Sequence, residues 1–115
     1  MKSEIAVDEL MERVSGNKEF ACKMLDTFFS SFNERMDKLK TNLAEQNYEE
    51  LADNAHKMKG IVGNLSLHKP FELLKEMQYE AGHNNDKKIK KLLHRIEEAI
   101  LKSRDFYESH PELFH

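Results

Sequence analysis

The stretch FACKMLDTFFSSFNERMDKLKTNL, residues 20–43, decides the fold class, because its apolar side chains recur every three or four residues. The recurring positions are Phe20, Met24, Phe28, Phe32, Met36, Leu39 and Leu43. This spacing lines up the side chains along one side of an α-helix. Asn17 stands just before the stretch and is a suitable N-cap. The stretch therefore predicts a long amphipathic helix.

The segments next to this helix repeat the pattern and predict further helices. A short first helix is expected to end at Ser15 and Gly16, and its apolar side consists of Val7, Leu10, Met11 and Val14. A third helix is expected from about Tyr48 to Leu65, and its apolar side consists of Tyr48, Leu51, Ala55, Met58, Val62 and Leu65. Both apolar sides are expected to face a common core.

Two more helices are predicted in the second half of the chain. Pro70, a residue favoured in the first turn, is expected to open the fourth helix, and Gly82 is expected to close it. The apolar side of the fourth helix consists of Phe71, Leu74, Met77 and Ala81. The fifth helix follows the capping candidates Asn84, Asn85 and Asp86. Its apolar side consists of Ile89, Leu92, Ile96, Ala99 or Ile100, and Phe106.

The arrangement of these helices follows from the connections between them. No segment alternates polar and apolar residues with β-branched enrichment, and each connection is only a few residues long. Neither a Gly/Ser-rich nor a Pro-rich linker divides the chain. We therefore predict an all-α fold, an antiparallel four-helix bundle with a short extra N-terminal helix, formed as a single domain over residues 1–115.

Composition and charge exclude several classes of function. The formal net charge of −3 argues against a general nucleic-acid binder, which normally carries a basic surface. No apolar run has the length of a signal peptide or of the roughly 20 residues that span a bilayer. Cys22 is the only cysteine, so that no internal disulfide can form. We expect a monomeric, soluble protein of the reducing cytoplasm that does not insert into membranes.

The third helix carries His56 on the side opposite its apolar residues. At about 100° per residue, with Leu51 at zero, His56 lies at roughly 140°. The apolar residues Leu51, Ala55, Met58 and Val62 lie within roughly 40° of zero. Gly60 and Gly63 follow on the same outward strip, although each weakens a helix by about 1 kcal/mol. The hypothesis is that these two glycines clear space around His56.

An outward imidazole among small side chains suits phosphoryl transfer between proteins. A neutral imidazole has a free ring nitrogen that accepts a phosphoryl group and later gives it up. Lys59 lies one helical turn from His56, near enough for its ammonium to reach a negative group on the ring. In-line attack requires close approach of a second protein's carboxylate, which bulky neighbours would prevent.

The residues that carry this argument resemble a known family. HKMKG, residues 56–60, is similar to the signature of histidine-containing phosphotransfer (HPt) domains, which is His, any residue, an aliphatic residue, Lys and Gly. DELMERVSGNKEFACKMLDTFFSSF, residues 8–32, resembles the first helix, Gly-Asn turn and second helix of that family. The resemblance implies a four-helix bundle whose exposed histidine relays phosphoryl groups between receiver-domain aspartates. It also implies no ATP site and no bound cofactor, with Mg²⁺ supplied by the partner receiver domain.

The resemblance also implies roles for single residues. His56 would be the phosphoacceptor, Lys59 the cationic partner of the phosphoryl group and Gly60 the position that gives access. Gln78 matches a glutamine that orients the histidine ring in many members. Further partner contacts are predicted at Lys57, Gly63, Asn64 and Lys69. The chain departs from the family pattern at Ser66, where glycine is usual.

Simpler explanations stay open for the same residues. His56 is alternatively an ordinary surface histidine, Lys59 a solvated charge and Gln78 a plain surface residue. Gly60 and Gly63 alternatively allow close packing between helices. The other five histidines lack the i, i+4 pairing and the carboxylate arrangement of metal sites, so that no metal site is predicted.

Two other classes of function stand beside phosphotransfer. One is a bundle that binds a partner without chemistry, including a degenerate HPt domain; intact His56, Lys59 and Gly60 count against it. The other is a hydrolase or metalloenzyme, but no catalytic triad pattern, phosphate-binding glycine loop or HExxH motif is present. The expected function is therefore that of a carrier without kinase activity, whose partners are receiver domains of response regulators or hybrid sensor kinases.

Overall fold

The computed structural model describes residues 4–115, which contain six α-helices and no strand. The helices are α1 Val7–Arg13, α2 Lys18–Ala44, α3 Tyr48–Asn64, α4 His68–Ala81, α5 Asp86–Ser109 and α6 Pro111–Phe114. The prediction of an all-α bundle with a short N-terminal helix is confirmed. The first three residues of the predicted 1–115 domain lie outside the described residues.

The four long helices, α2 to α5, surround one apolar core. Each packs against the next, and α2 also contacts α5, which closes the ring. The buried side chains include Phe28, Phe32, Met36, Leu51, Met58, Leu74, Met77, Ile89, Ile96 and Ile100. Burial of these side chains removes apolar surface from water, which is the main favourable contribution to folding.

One end of the bundle is closed by segments from both ends of the described chain. Ile5, Leu10 and Phe114 are completely buried there. The backbone N–H of Ala6 donates to the carbonyl of Ser66, at 3.1 Å, and thereby ties α1 to the α3–α4 turn. Helix α6, which supplies Phe114, was not predicted because four residues are too short to show a periodic pattern.

The opposite half of the bundle is joined by polar contacts between helices. The Asn54 side chain on α3 donates to the Asn42 carbonyl oxygen on α2, at 2.8 Å. The phenol of Tyr48, at the start of α3, donates to the Asp86 carboxylate at the start of α5. That hydrogen bond raises the pKa of the Tyr48 phenol, because loss of the phenol proton would break the bond and leave a phenolate beside the Asp86 carboxylate. The first contact joins α3 to α2, and the second joins α3 to α5.

The structure corrects the predicted apolar side of α2 at its first turn. Phe20 is 50% exposed, whereas Ala21, Cys22 and Leu25 are buried. Helix α2 has 27 residues and its antiparallel neighbour α3 only 17, so that the beginning of α2 extends beyond the end of α3. Phe20 lies on this extension and is not covered by α3, whereas Cys22 contacts Tyr107 of α5 and Phe114 of α6.

Helix ends follow a common rule in this chain. A residue with positive φ follows α1, α2, α3 and α4, and these residues are Ser15, Gln46, Ser66 and Asn84. After α3, the N–H groups of Ser66 and Leu67 donate to the carbonyls of Gly63 and Val62, which is a Schellman motif. Gly82 caps α4 as predicted but has φ −64°, and Asn84 adopts the left-handed conformation instead.

Three asparagines begin the helices that follow these turns. The side chains of Asn17, Asn47 and Asn85 accept hydrogen bonds from backbone N–H groups in the first turns of α2, α3 and α5. The prediction of Asn17 is confirmed, and Asn85 is the cap among the three candidates before α5. Helix α4 begins at His68, two residues before Pro70, and has Leu67 in the capping position without a side-chain hydrogen bond.

We predict that Ser66→Gly stabilises the protein. Ser66 has φ 60° and is 2% exposed, and its hydroxyl finds no hydrogen-bond partner among residues 4–115. A left-handed conformation and an unpaired buried hydroxyl each destabilise the folded protein by about 1 kcal/mol or more. Glycine removes both costs, but it makes the unfolded chain more flexible, which lowers the free energy of unfolding by up to about 1 kcal/mol. Urea unfolding should show that the free energy of unfolding rises by about 1 kcal/mol.

The control for Ser66→Gly is Ser15→Gly. Ser15 also has positive φ, 54°, but is exposed, and its hydroxyl is open to water. Its replacement should therefore give a smaller gain. Equal gains for the two variants would show that the buried hydroxyl of Ser66 contributes nothing.

Candidate functional site

The orientation of α3 is set by its buried side. Leu51, Ala55, Met58 and Val62 are between 0% and 1% exposed. His56 lies on the opposite side of the same helix and is exposed to solvent. The predicted outward direction of His56 is thus confirmed, and its ring is accessible to a second molecule.

Gly60 leaves open space beside His56. It lies one turn after His56 on α3, and a Cβ atom added to it would meet nothing within 4 Å apart from its two chain neighbours and the surrounding α3 backbone. Close helix packing, the alternative explanation for a glycine at this position, is not what Gly60 provides. Its missing side chain instead leaves a clear approach along the surface of α3.

A different physical reason accounts for the glycine at position 63. A Cβ atom added there would lie 3.2 Å from Cδ2 and 3.3 Å from Cε2 of Phe71 on α4. These distances are shorter than ordinary van der Waals contact, so that glycine permits the Phe71 ring to pack against the α3 backbone. The hypothesis that both glycines clear space around His56 is therefore corrected: close packing accounts for Gly63.

Lys59 is held on the α4 side of α3 by the same aromatic ring. Its Nζ atom lies 5.9 Å from the centroid of the Phe71 ring, within the range of a cation–π contact. Both side chains are half-buried. Phe71 was predicted only as a core residue, because periodicity shows that a side chain is apolar but not which residue of another helix it contacts.

Gln78 lies on α4 at the level of His56. Gly63 and Phe71 are in contact, His56 lies seven residues before Gly63, and Gln78 lies seven residues after Phe71. In antiparallel helices these equal steps, about 10 Å along each axis, end at the same height. Gln78 is half-buried, and within residues 4–115 its side chain makes no hydrogen bond to the His56 ring. Its predicted role in orienting the ring stays a prediction.

Two other predicted partner contacts lie on the α2 side of the exposed surface of α3. Lys57 and Asn64 are exposed. Lys57 follows Asn54 by one helical turn, and Asn54 donates to Asn42 of α2. Asn64 follows Lys57 by two turns and therefore continues the same edge. Gly60 thus lies between this edge and the edge formed by Lys59 and Gly63.

Lys69 lies away from this surface. It lines a shallow depression together with Arg95, Glu98 and Lys102 of α5. The pKa of the Glu98 carboxyl is lowered, first by the hydrogen bond from Lys102 and further by nearby charges that include Lys69. Phe71 marks the opposite, α3-facing side of α4. The structure therefore brings together His56, Lys59, Gly60 and Gly63, but not Lys69.

Two further observations concern metals and membranes. Among residues 4–115, no three His, Cys, Asp or Glu side chains are grouped so that they could hold a metal ion. Over the same residues, no helix combines the length and the apolar character needed to cross a bilayer.

Comparison with known families agrees with the geometry of α3. The family model of the Hpt domain matches residues 23–102, more than half of the chain, and this range includes His56, Lys59 and Gly60. The chain belongs to the Hpt domain family. Hpt domains act in histidine phosphotransfer in phosphorelays and interact with receiver domains. A search of curated proteins and a search of solved structures find no significant match.

The matched range also limits what the family explains. It begins inside α2 and ends inside α5, so that α1 and α6 lie outside it. The resemblance of residues 8–22 to the N-terminal part of the family stays a prediction.

We predict that the two glycines of α3 respond differently to alanine. Gly60→Ala should raise the free energy of unfolding by about 1 kcal/mol, because alanine favours the helix and meets no neighbour. Gly63→Ala gains the same helix propensity but crowds the Phe71 ring, which costs about 1–3 kcal/mol. Chemical denaturation of both variants measures the difference. Equal stabilisation would contradict the packing assigned to Gly63.

Proposed function

We propose that this chain is a phosphorelay intermediate that accepts a phosphoryl group on His56 from a receiver-domain aspartyl-phosphate and passes it to another receiver domain. The observation that carries the proposal is the exposed imidazole of His56 with open space at Gly60, in a chain of the Hpt domain family. A carrier between two proteins needs such a convex, accessible site, because each partner brings its own active site to the ring.

The transfer step needs only a ring nitrogen from this chain. The lone pair of one His56 nitrogen attacks the phosphorus atom in line, a P–N bond forms, and the P–O bond to the receiver aspartate breaks. The aspartate leaves as a carboxylate, and the second ring nitrogen keeps its proton. Transfer to the next receiver reverses these bond changes. Mg²⁺ supplied by the receiver would offset charge on the phosphoryl oxygens.

Lys59 supplies positive charge from the carrier side. It lies one helical turn from His56, and an ammonium on a flexible side chain can follow a phosphoryl group between two positions. Its charge would stabilise the transferring group during both arrival and departure. Lys59 is therefore assigned the role of charge partner, and Gln78, at the same height on α4, the role of orienting the ring.

The docking surface proposed for the receiver is the exposed side of α3. Lys57 and Asn64 form its α2-facing edge, and Gly60 lies between them and the α4-facing edge. Receivers are commonly acidic around their active sites, so that Lys57 and Lys59 would favour encounter. Lys69 lies on the α5 side and would contribute only long-range attraction, which salt screens over about 8 Å at physiological ionic strength.

The test of the proposal follows label from a ³²P-phosphorylated receiver, with Mg²⁺, to this protein. Wild type should gain acid-labile label, and His56→Gln should gain none, because glutamine lacks the nucleophilic ring nitrogen. His94→Gln, which changes an imidazole that is 84% exposed on α5, should be labelled like wild type. Binding without label transfer in wild type would favour the alternative of a partner-binding bundle without chemistry.

We further predict that Gly60→Gln blocks transfer without unfolding the protein. Its side chain would enter the open space through which the receiver approaches, and displacement of reacting groups by about 1 Å can cost about 100-fold in rate. Gly60→Ala adds a single carbon and should lose much less. Transfer rates and unfolding curves of both variants are the measurements, and a Gly60→Gln rate equal to that of wild type would exclude the access role.

A further inference from the structure

We propose that Asp53 destabilises the phosphorylated form of His56 and thereby shifts the transfer equilibrium towards the receiver. This inference rests on the proposed function, in which His56 accepts a phosphoryl group from a receiver aspartate and later gives it up. Asp53 takes no part in the bond changes, since the P–N bond to His56 forms as the P–O bond to the receiver aspartate breaks. The charge of Asp53 alters only the free energy of the phosphorylated carrier.

Asp53 and His56 occupy the same exposed strip of α3. Asp53 precedes His56 by three residues, so that their directions differ by about 60° around the helix axis, and both residues are exposed. Side chains with this spacing have Cβ atoms about 5–6 Å apart. Side chains on a helix also tilt towards its N-terminus, which directs the His56 ring towards the turn that carries Asp53.

The Asp53 carboxylate has no ion-pair partner in the part of the chain that the structure describes. Within residues 4–115, no Lys, Arg or His nitrogen lies within ion-pair distance of it. Lys57 follows by four residues, the spacing of a helical ion pair, but does not form one. The Lys59 ammonium lies 5.9 Å from the centroid of the Phe71 ring. A phosphoryl group on His56 would therefore meet an unpaired negative charge on its N-terminal side.

Helix stability does not account for an acid at position 53. Carboxylates near a helix N-terminus interact favourably with the macrodipole, but this effect falls off within the first turn. Glu49 and Glu50 are the acids of the first turn of α3, whereas Asp53 is the sixth residue of the helix. Aspartate also has a low propensity for helix interiors. We therefore assign the charge of Asp53 to the site at His56.

Repulsion between like charges raises the free energy of phosphorylated His56. A phosphorylated side chain carries about −1.5 to −2 charges at neutral pH, whereas a neutral imidazole carries none. Because Asp53 and His56 are both exposed, water and salt weaken the repulsion, and its effect on the equilibrium is only a few-fold. Asp53 thus opposes the attraction of Lys59, so that His56 holds the phosphoryl group weakly enough to pass it on.

The equilibrium constant of transfer measures this effect separately from docking. A ³²P-phosphorylated receiver is mixed with this protein and Mg²⁺, and the four free species are quantified at equilibrium, with correction for hydrolysis of the aspartyl-phosphate. The constant depends only on the free proteins, so that a docking contact of Asp53 would change the rates and not the constant. Asp53→Asn should raise the constant for transfer to His56 by about two- to fivefold at low ionic strength.

Matched variants separate the position of the charge from its presence. Asp53→Glu keeps a carboxylate at the same position and should transfer with the constant of wild type. Asp105→Asn removes the same charge from an exposed site on α5, across the core from α3, and should also leave the constant unchanged. Thermal unfolding of each variant verifies that folded proteins are compared.

Salt gives a second readout that a purely structural role would not change. The rise with Asp53→Asn should shrink towards onefold in about 1 M salt, where charges are screened over about 3 Å. An unchanged or lower constant for Asp53→Asn, an equal rise for either control variant, or a rise that persists undiminished in high salt would overturn the inference.

The outcome also distinguishes this inference from the proposed function. Absence of acid-labile label on wild type would refute the proposed function and with it the role of Asp53. Label on wild type, together with an unchanged constant for Asp53→Asn, would refute the role of Asp53 alone. Label on wild type, with a salt-sensitive rise for Asp53→Asn and none for the two controls, would support both.

Discussion

Burial of one side of α3 is the constraint on which the site depends. Leu51, Ala55, Met58 and Val62 are enclosed by the other long helices, and a helix with one side fixed in this way has no rotational freedom left. His56 follows Ala55 by one residue, or about 100°, and is therefore directed outward. The core thus determines the direction of the imidazole without any contact to the ring.

The contact between α3 and α4 determines the surroundings of Lys59. Gly63 brings the Phe71 ring onto the α3 backbone, and that ring in turn faces the ammonium of Lys59. The same glycine supplies a carbonyl to the turn at Ser66, and the carbonyl of Ser66 accepts from Ala6. One small residue therefore takes part in helix packing, in the turn and, through Phe71, in the surroundings of the proposed charge partner. Gly60 has none of these contacts and leaves space open instead.

Sequence alone predicts the features that depend on a single helix. The long helices follow from periodicity, and the exposure of His56 follows from its angle to the apolar side. The sequence does not show which residues of neighbouring helices lie against one another. Phe20 fits the apolar spacing of α2 but lies beyond the end of α3, and Lys69 follows α3 closely in the chain but faces α5. The different reasons for Gly60 and Gly63 depend on which of them lies under Phe71.

The proposed function explains why the site can be so simple. A carrier has to work in both directions, so that an interaction that greatly stabilised phosphorylated His56 would slow the second transfer as much as it favoured the first. A single half-buried lysine, restrained by a weak aromatic contact, fits this requirement better than a rigid cluster of cations. Under the proposed function, the metal and the aspartate would come with each receiver, and this chain would need to present only one nitrogen, one mobile charge and an open path. Selection between receivers would then depend on the edges of the exposed α3 surface and not on the chemistry at His56.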